Sequence, residues 1–424
     1  MIDFTGHDWP IQRPRLREPR VAESNRRSPR KPTSTPMDRA SGTAACQAGR
    51  RREAPLGNQR IGFPPRTTVA DFDRRERRRE RMELQRGIRE VTSLERLKSC
   101  GHTAVSTGGV VVRGGAQGVG FAGLATCGSV WACPVCASKI AAHRGVELGT
   151  VLQLAQDQGK TVAMVTLTVR HKRGDGLKSV WDAVAHGWNR ITSGKPWGKM
   201  QAQHGVVGWA RAVEVTHGSN GWHVHVHAVL VLDRPGEVNA VRLGERMFAR
   251  WSAGLESKGF SAVAASGGLD VSVSKSAADQ LGRYLAKMGG QSVDHLALEA
   301  THGAFKRARA SNRSPFQIVK DFLATGDVSD LAIWREWESA SKGRRALTWS
   351  KALRTWASTE EKTDDEIVAE DLQGDDLVLL PPETWAAVRG RSWEVLDYAE
   401  QGFDALTKWL DSRGLRWFDP PGRT

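Results

Sequence analysis

The stretch GWHVHVHAVLVL, residues 221–232, constrains this chain more than any other. It is short, rich in Val and Leu, and follows the turn-like HGSNG, so it reads as a β-strand whose side chains alternate between two faces. His223, His225 and His227 then point one way in steps of about 7 Å, while Trp222, Val224, Val226 and Ala228 point the other way, toward a core. Three of the chain's twelve histidines on one face are either a ligand set for a divalent metal or a half-exposed face that happens to carry imidazole. VVGWARAVEVTHG (206–218) is a second strand, and the short turn between the two makes an antiparallel hairpin.

The flanking segments set the fold class. TVAMVTLTV (161–169) and LDVSVS (269–274) read as strands. GLKSVWDAVAHGWNRI carries Leu177, Val180, Trp181, Val184 and Trp188 at helical spacing, and VNAVRLGERMFARWSAGLESKG and SAADQLGRYLAKMGG are further helices. The order β-α-β-β-α-β-α predicts an α+β fold, an antiparallel sheet with helices packed on one face. Beyond residue 290 the chain reads as mostly helical, with Trp334, Trp337, Trp349 and Trp356 and an acidic linker, EEKTDDEIVAEDLQGDD.

Four cysteines define a second constellation: Cys100, then Cys127, Cys133 and Cys136 in CGSVWACPVC. A CxxC turn with two further cysteines suits a tetrahedral thiolate zinc site, closed and therefore structural, which contributes on the order of 10 kcal/mol to folding a small module. Buried free thiols are the alternative. His102 competes as a fifth ligand candidate, and Cys46, in a Pro-, Arg- and Ser-rich stretch, is set aside.

Charge points to the partner. The chain carries a net +15, and residues 1–100 hold 24 Lys and Arg against 13 Asp and Glu, so most of the excess sits there. That asymmetry suits a polyanion. Residues 1–70 have few large apolar side chains and are expected to be a disordered basic arm. DFDRRERRRERMELQRGIREVTSLERL follows as a charged helix with Leu84, Ile88, Val91, Leu94 and Leu97 near one face, its arginines either solvated or meeting phosphates. No apolar run approaches the ~20 residues of a membrane span, and the N-terminus lacks the apolar segment of a secretory signal. A cytoplasmic protein is expected, in which cysteines favour metal over disulfides.

GRYLAKM (282–288) holds Tyr284, one of only two tyrosines, with Lys287 one turn on. A cation there lowers the pKa of a phenol, and an activated tyrosine is a nucleophile; the other reading is a half-buried tyrosine anchoring its helix.

Taken together, TLT (166–168), HVHVH (223–227) and YLAK (284–287), in that order, resemble the three motifs of the HUH endonucleases. More closely, the chain resembles the rolling-circle replication initiators (Rep) of small bacterial plasmids, from about Arg96 to Arg354. That stretch includes CGSVWACPVC, EVTHGSNGWHVHVH, SPFQIVKDFLATGD and RRALTWSKALR. The resemblance implies an HUH-type antiparallel sheet with packed helices (138–290). A charged helix and small zinc module (71–137) precede it, and a mostly helical C-terminal region (291–424) follows. It implies that His225 and His227 bind Mg²⁺ or Mn²⁺, with His223 a third ligand or a supporting group and Glu214 completing the coordination. Tyr284, assisted by Lys287, would attack the scissile phosphate and leave a 5′-phosphotyrosine and a free 3′-OH. In some relatives a glutamate one turn before the tyrosine serves as a base; here Gln280 stands there, with Asp279 beside it. The implied partners are DNA, at a plasmid double-strand origin that is single-stranded at the nick, and the host helicase and polymerase. A relaxase or transposase of the same chemistry is an alternative, and a non-enzymatic zinc-containing DNA-binding regulator is another.

Overall fold

The structure, a computed structural model, describes residues 69–115, 118–274, 312–370 and 372–420. The arm expected over 1–70 lies outside them, except for the two residues that open the first helix.

The fold is α+β, as expected. Its larger sheet is antiparallel, in the order β6-β3-β5-β4-β7, with β8 also paired to β4. Here β3 is Thr161–Thr168, β4 Val206–Gly218, β5 Gly221–Leu232, β6 Leu269–Ser274, β7 Asn312–Arg313 and β8 Leu347–Trp349. The β4–β5 hairpin closes on Gly221 at φ +85°, a conformation that side-chain-bearing residues avoid. Register puts Thr168 opposite His225 and Thr166 opposite His227 on one side. On the other side Glu214 lies opposite His225, and Thr216 opposite His223. The histidine strand thus sits mid-sheet, with a threonine pair on one neighbour and a carboxylate on the other.

The two faces are covered differently. Val224, Val226, Ala228, Leu230 and Leu232 pack with Trp181 and Trp188 of α4 (Leu177–Ile191) and Met247 and Trp251 of α6 (Glu237–Glu256) in the main core. These helices cross closely at Gly187, where a Cβ would lie 2.8 Å from the Trp251 ring. The expectation of helices on one face only is corrected. At the far end of the histidine face, Val229 and Val231 pack with Leu148, Val151 and Leu152 of α3 (Pro134–Asp157) and with Leu353 of α9 (Lys351–Ala357). The run AVLVL is apolar on both faces, so both need cover.

The region before the sheet begins with α1 (Val69–Val91) and α2 (Glu95–Ser99), then β1 (Val110–Gly115) and β2 (Gly118–Ala122). A second, three-stranded sheet runs β2-β1-β9, with β9 (Asp375–Leu380) arriving from the C-terminal region. The C-terminal region is helical, with α7 (Pro315–Thr325), α8 (Val328–Ser341), α11 (Pro382–Val388), α12 (Ser392–Ala399) and α13 (Phe403–Asp411). The acidic linker is corrected. It contains α10 (Asp364–Ala369), opened by a Thr363–Glu366 capping box and buried through Ile367 and Val368. Its charges are paired, Asp365 with Arg96 at 2.6 Å and Asp364 with Arg144 at 3.2 Å.

Several α1 arginines are engaged within the protein. Arg75 and Arg78 pair with Glu400 of α12 at 2.8 and 2.6 Å, Arg78 also meets Asp397, and Arg79 lies 4.6 Å over the Trp393 ring. They fasten α1 to the C-terminal helices.

Candidate functional site

The four cysteines come together from three elements. Cys100 follows α2, Cys127 lies beyond β2, and Cys133 caps α3, whose first turn holds Cys136. All four are buried. Sulfur separations are 3.8 Å for Cys100–Cys133, 3.5 Å for Cys100–Cys136 and 3.7 Å for Cys127–Cys136. A tetrahedral site with bonds of about 2.3 Å has edges of about 3.8 Å, so this set fits a metal such as zinc. Among the described residues, it is the only group of three or more His, Cys, Asp and Glu whose ligand atoms converge. His102 stays outside it, its carbonyl accepting from Trp385 Nε1 at 2.8 Å.

The electrostatics fit a cation. Burial opposes ionisation of Cys133, but hydrogen bonds from Cys100, Cys127 and Cys136 outweigh it and hold this thiol well below its ordinary value. Hydrogen bonding among the sulfurs, then burial, pushes Cys100 and Cys136 up. Four adjacent sulfurs cannot all ionise by themselves; a divalent ion removes that conflict. Gln85 on α1 donates to Cys100 Sγ at 3.4 Å and Cys133 Sγ at 3.2 Å, and Arg89 donates to the Cys100 carbonyl at 3.0 Å. Nothing in the sequence marks Gln85, whose role comes from where α1 docks.

Trp131, inside the cysteine loop, ties this module to the sheet. Its ring meets Trp181 at 5.2 Å and Trp337 at 5.5 Å, and Trp337 in turn stacks on Trp222 at 5.9 Å, the residue before His223. Trp337 Nε1 donates to the Trp131 carbonyl at 3.0 Å.

The histidine face is ordered in another way. Thr168 Oγ1 and His225 Nδ1 are 2.9 Å apart, and Thr166 Oγ1 and His227 Nδ1 3.2 Å. His227 Nε2 lies 2.9 Å from Glu214 Oε2, both residues being buried. The carboxylate accepts, so Nε2 carries the proton in this contact. Two bonds of about 2.1 Å at a right angle end about 3.0 Å apart, so Nε2 and Oε2 are spaced as neighbouring ligands of a small octahedral cation. The His225 and His227 rings are nearly parallel at 6.2 Å. Even so, no three of the ligand atoms of His223, His225, His227 and Glu214 lie within 4.8 Å of one another.

His223 packs edge-on against His225 at 4.7 Å and against His171 at 4.4 Å. Burial, then the neighbouring His171, pushes its pKa below the ordinary value, which favours neutral imidazole. His171 was missed in the sequence because it lies just past the strand pattern. The threonines were legible as TLT, but their contacts with Nδ1 depend on the β3–β5 register. Tyr284 and Lys287, with Asp279 and Gln280, lie outside the described residues.

Residues 122–235, which span the cysteine loop and the histidine hairpin, match a family described as Replication protein. Protein rep of Streptomyces lividans is 27% identical over 68% of this chain and 77% of its own length. A Neomycin resistance protein of Streptomyces cyanogenus is 29% identical over 29% of this chain and 34% of its own. No solved structure matches. Among the described residues, no helix is long and apolar enough to cross a membrane. The family match covers both the CxxC loop and the histidine strand, and the similarity to Protein rep extends over most of the chain, so the chain is similar to replication proteins of this kind.

Proposed function

We propose that this protein starts rolling-circle replication of a plasmid by nicking one DNA strand at the origin and later rejoining it. The observation that carries this reading is the His227–Glu214 contact of 2.9 Å on the same face as His225, with Thr166 and Thr168 on the imidazole Nδ1 atoms. It is an oriented set of nitrogen and oxygen donors in mid-sheet, in a chain similar to replication proteins. His225, His227 and Glu214 hold Mg²⁺ or Mn²⁺, with His223 a further ligand or a support. When bound, that ion polarises the scissile phosphate. Cys100, Cys127, Cys133 and Cys136 hold zinc, in a structural role.

Thr166 and Thr168 fix the ring orientation of the two histidines, as partners on the second imidazole nitrogen do at metal sites. Tyr284 Oη attacks phosphorus, and the proton it gives up to solvent is balanced by the one that the departing 3′ oxygen takes up. The bond from phosphorus to the 3′ oxygen breaks, leaving a 3′-OH for the host polymerase and a 5′-phosphotyrosine on the protein. Lys287 favours the phenolate form of Tyr284. The phosphotyrosine conserves the bond energy, so rejoining by a 3′-OH needs no nucleotide cofactor. A host helicase is the expected companion, and plasmid DNA makes the cytoplasm the place of work.

A denaturing gel with 3′-labelled single-stranded origin oligonucleotide tests this. Wild type and Tyr398→Phe are expected to give a slowly migrating protein–DNA band in Mn²⁺ or Mg²⁺. Tyr284→Phe is expected to give none while still binding the DNA. The same band from Tyr284→Phe, or from wild type in EDTA, overturns the mechanism.

A further inference from the structure

Arg75, Arg78 and Arg79 of α1 are held by carboxylates; a second set of cations is not. The short helix α5 (Gly194–His204) lies beside α6 and carries Lys195 and Lys199. The neighbouring α6 carries Arg242, Arg246 and Arg250 at intervals of four residues. Lys195, Lys199, Arg246 and Arg250 line a groove of about 360 Å³, and its other lining residues, Pro196, Met200 and Ala249, are apolar. None of these cations forms an ion pair among the described residues. Arg250 instead donates to the Arg190 carbonyl at 2.9 Å and the Ser193 carbonyl at 3.2 Å, and Arg246 donates to Gln203. Like charges four apart on a helix repel, so the stripe works against the stability of α6. Burial, then Arg190, pushes the Arg250 guanidinium below its usual value.

We propose that the α5–α6 groove is a second DNA-binding surface, one that takes the phosphate backbone of duplex DNA. Its position separates it from the histidine face. Both helices pack on the opposite side of the sheet, with Trp197, Met200, Met247 and Trp251 in the main core. Moreover, α5 leads into the start of β4, and Glu214 lies eight residues, about 26 Å, further along that strand. The choice of duplex over single strand comes from the lining. Single strands are held by cations together with aromatic rings on which bases stack, and no aromatic side chain lines this groove. Closely spaced cations without a stacking platform match the dense phosphates of a duplex. The groove holds double-stranded DNA beside the origin while the strand to be cut lies across the histidines.

This inference rests on the reading of the protein as one that acts on DNA. The test uses the full chain, with fluorescence anisotropy on a random-sequence duplex and on a single strand of equal length, over a range of salt concentrations. For Lys199→Glu with Arg246→Glu, the slope of log affinity against log salt on the duplex is expected to fall by about 1.8, at about 0.9 per lost contact. Duplex affinity at the lowest salt is expected to drop more than tenfold. The neutral pair Lys199→Ala with Arg246→Ala is expected to change the slope equally. Single-strand affinity and nicking of the origin oligonucleotide should stay at wild-type level. Unchanged duplex binding, or an equal loss on both forms, overturns the groove. If wild type binds neither form, the DNA-acting reading itself fails.

Discussion

The cysteine module and the histidine face are two sets of metal-type ligands built on opposite plans. The cysteines come from three separate segments, are buried together, and converge to 3.5–3.8 Å. The histidines come from one strand, are held apart by its pleat, and make their closest contacts to Thr166, Thr168 and Glu214. A closed set has little room for anything but an ion, which on the proposed reading holds the fold. A set spread along a strand leaves positions that a substrate can share. The comparison teaches that the buried set is gathered by packing, whereas the set along the strand is oriented by its neighbours.

Removing a cysteine ligand is the strongest way to break this contrast. Cys133→Ser is expected to abolish zinc retention and to cost a large share of the on-the-order-of-10 kcal/mol that such a site contributes. Elemental analysis and thermal denaturation of purified protein check both. An unchanged melting temperature would put the two ligand sets on the same footing and end the comparison.

On the histidine face the effect should move from stability to activity. Thr168→Val removes the partner of His225 Nδ1 but keeps the shape of the strand. Stability is expected to fall by only about 0.5–1.5 kcal/mol, the worth of one hydrogen bond. Nicking is expected to fall about 10–100-fold, as when an outer partner of a metal-binding histidine is removed. Urea unfolding and single-turnover nicking at several Mn²⁺ concentrations separate the two. A variant with full activity and strongly reduced stability would mean that the threonine only holds the sheet.

The smallest expected effect is on pH. Burial, then Arg313, holds the pKa of His217 below its ordinary value, and burial does the same for His223. The unfolded chain therefore takes up protons first as pH falls through about 6.5. Stability is expected to be full above that range and to decline below it, toward the depressed folded-state values. His217→Asn should lessen the decline, read as the shift in urea midpoint between pH 7.5 and 5.5. A midpoint that rises on acidification contradicts the assignment of neutral imidazoles.

Much of the arrangement was legible locally. Strand β5 alternates strictly over His223–Ala228, so the period of two assigns its faces without any partner. The hairpin turn and the helix after CPVC were equally local. The cysteine set was legible because two of its members sit in one turn. Other features had no local signal. Arg113 of β1 pairs with Asp376 of β9, 263 positions away, at 2.5 Å, and the second sheet depends on such pairing. Gln85 reaches the sulfurs, and α10 forms within what reads as a linker, because a neighbouring surface is there to bury against.

The sequence alone determined which side chains share a strand face, which cysteines are close enough to form a knuckle, and that the chain is basic. These follow from backbone geometry over a few residues and from composition. Only the tertiary structure decided that Arg75 and Arg78 of α1 meet carboxylates from the C-terminal region and that this region adds β9 to the second sheet. The reason is physical: a charge or ligand acts through what lies within a few ångströms of it, and that neighbourhood is set by packing of elements hundreds of residues apart.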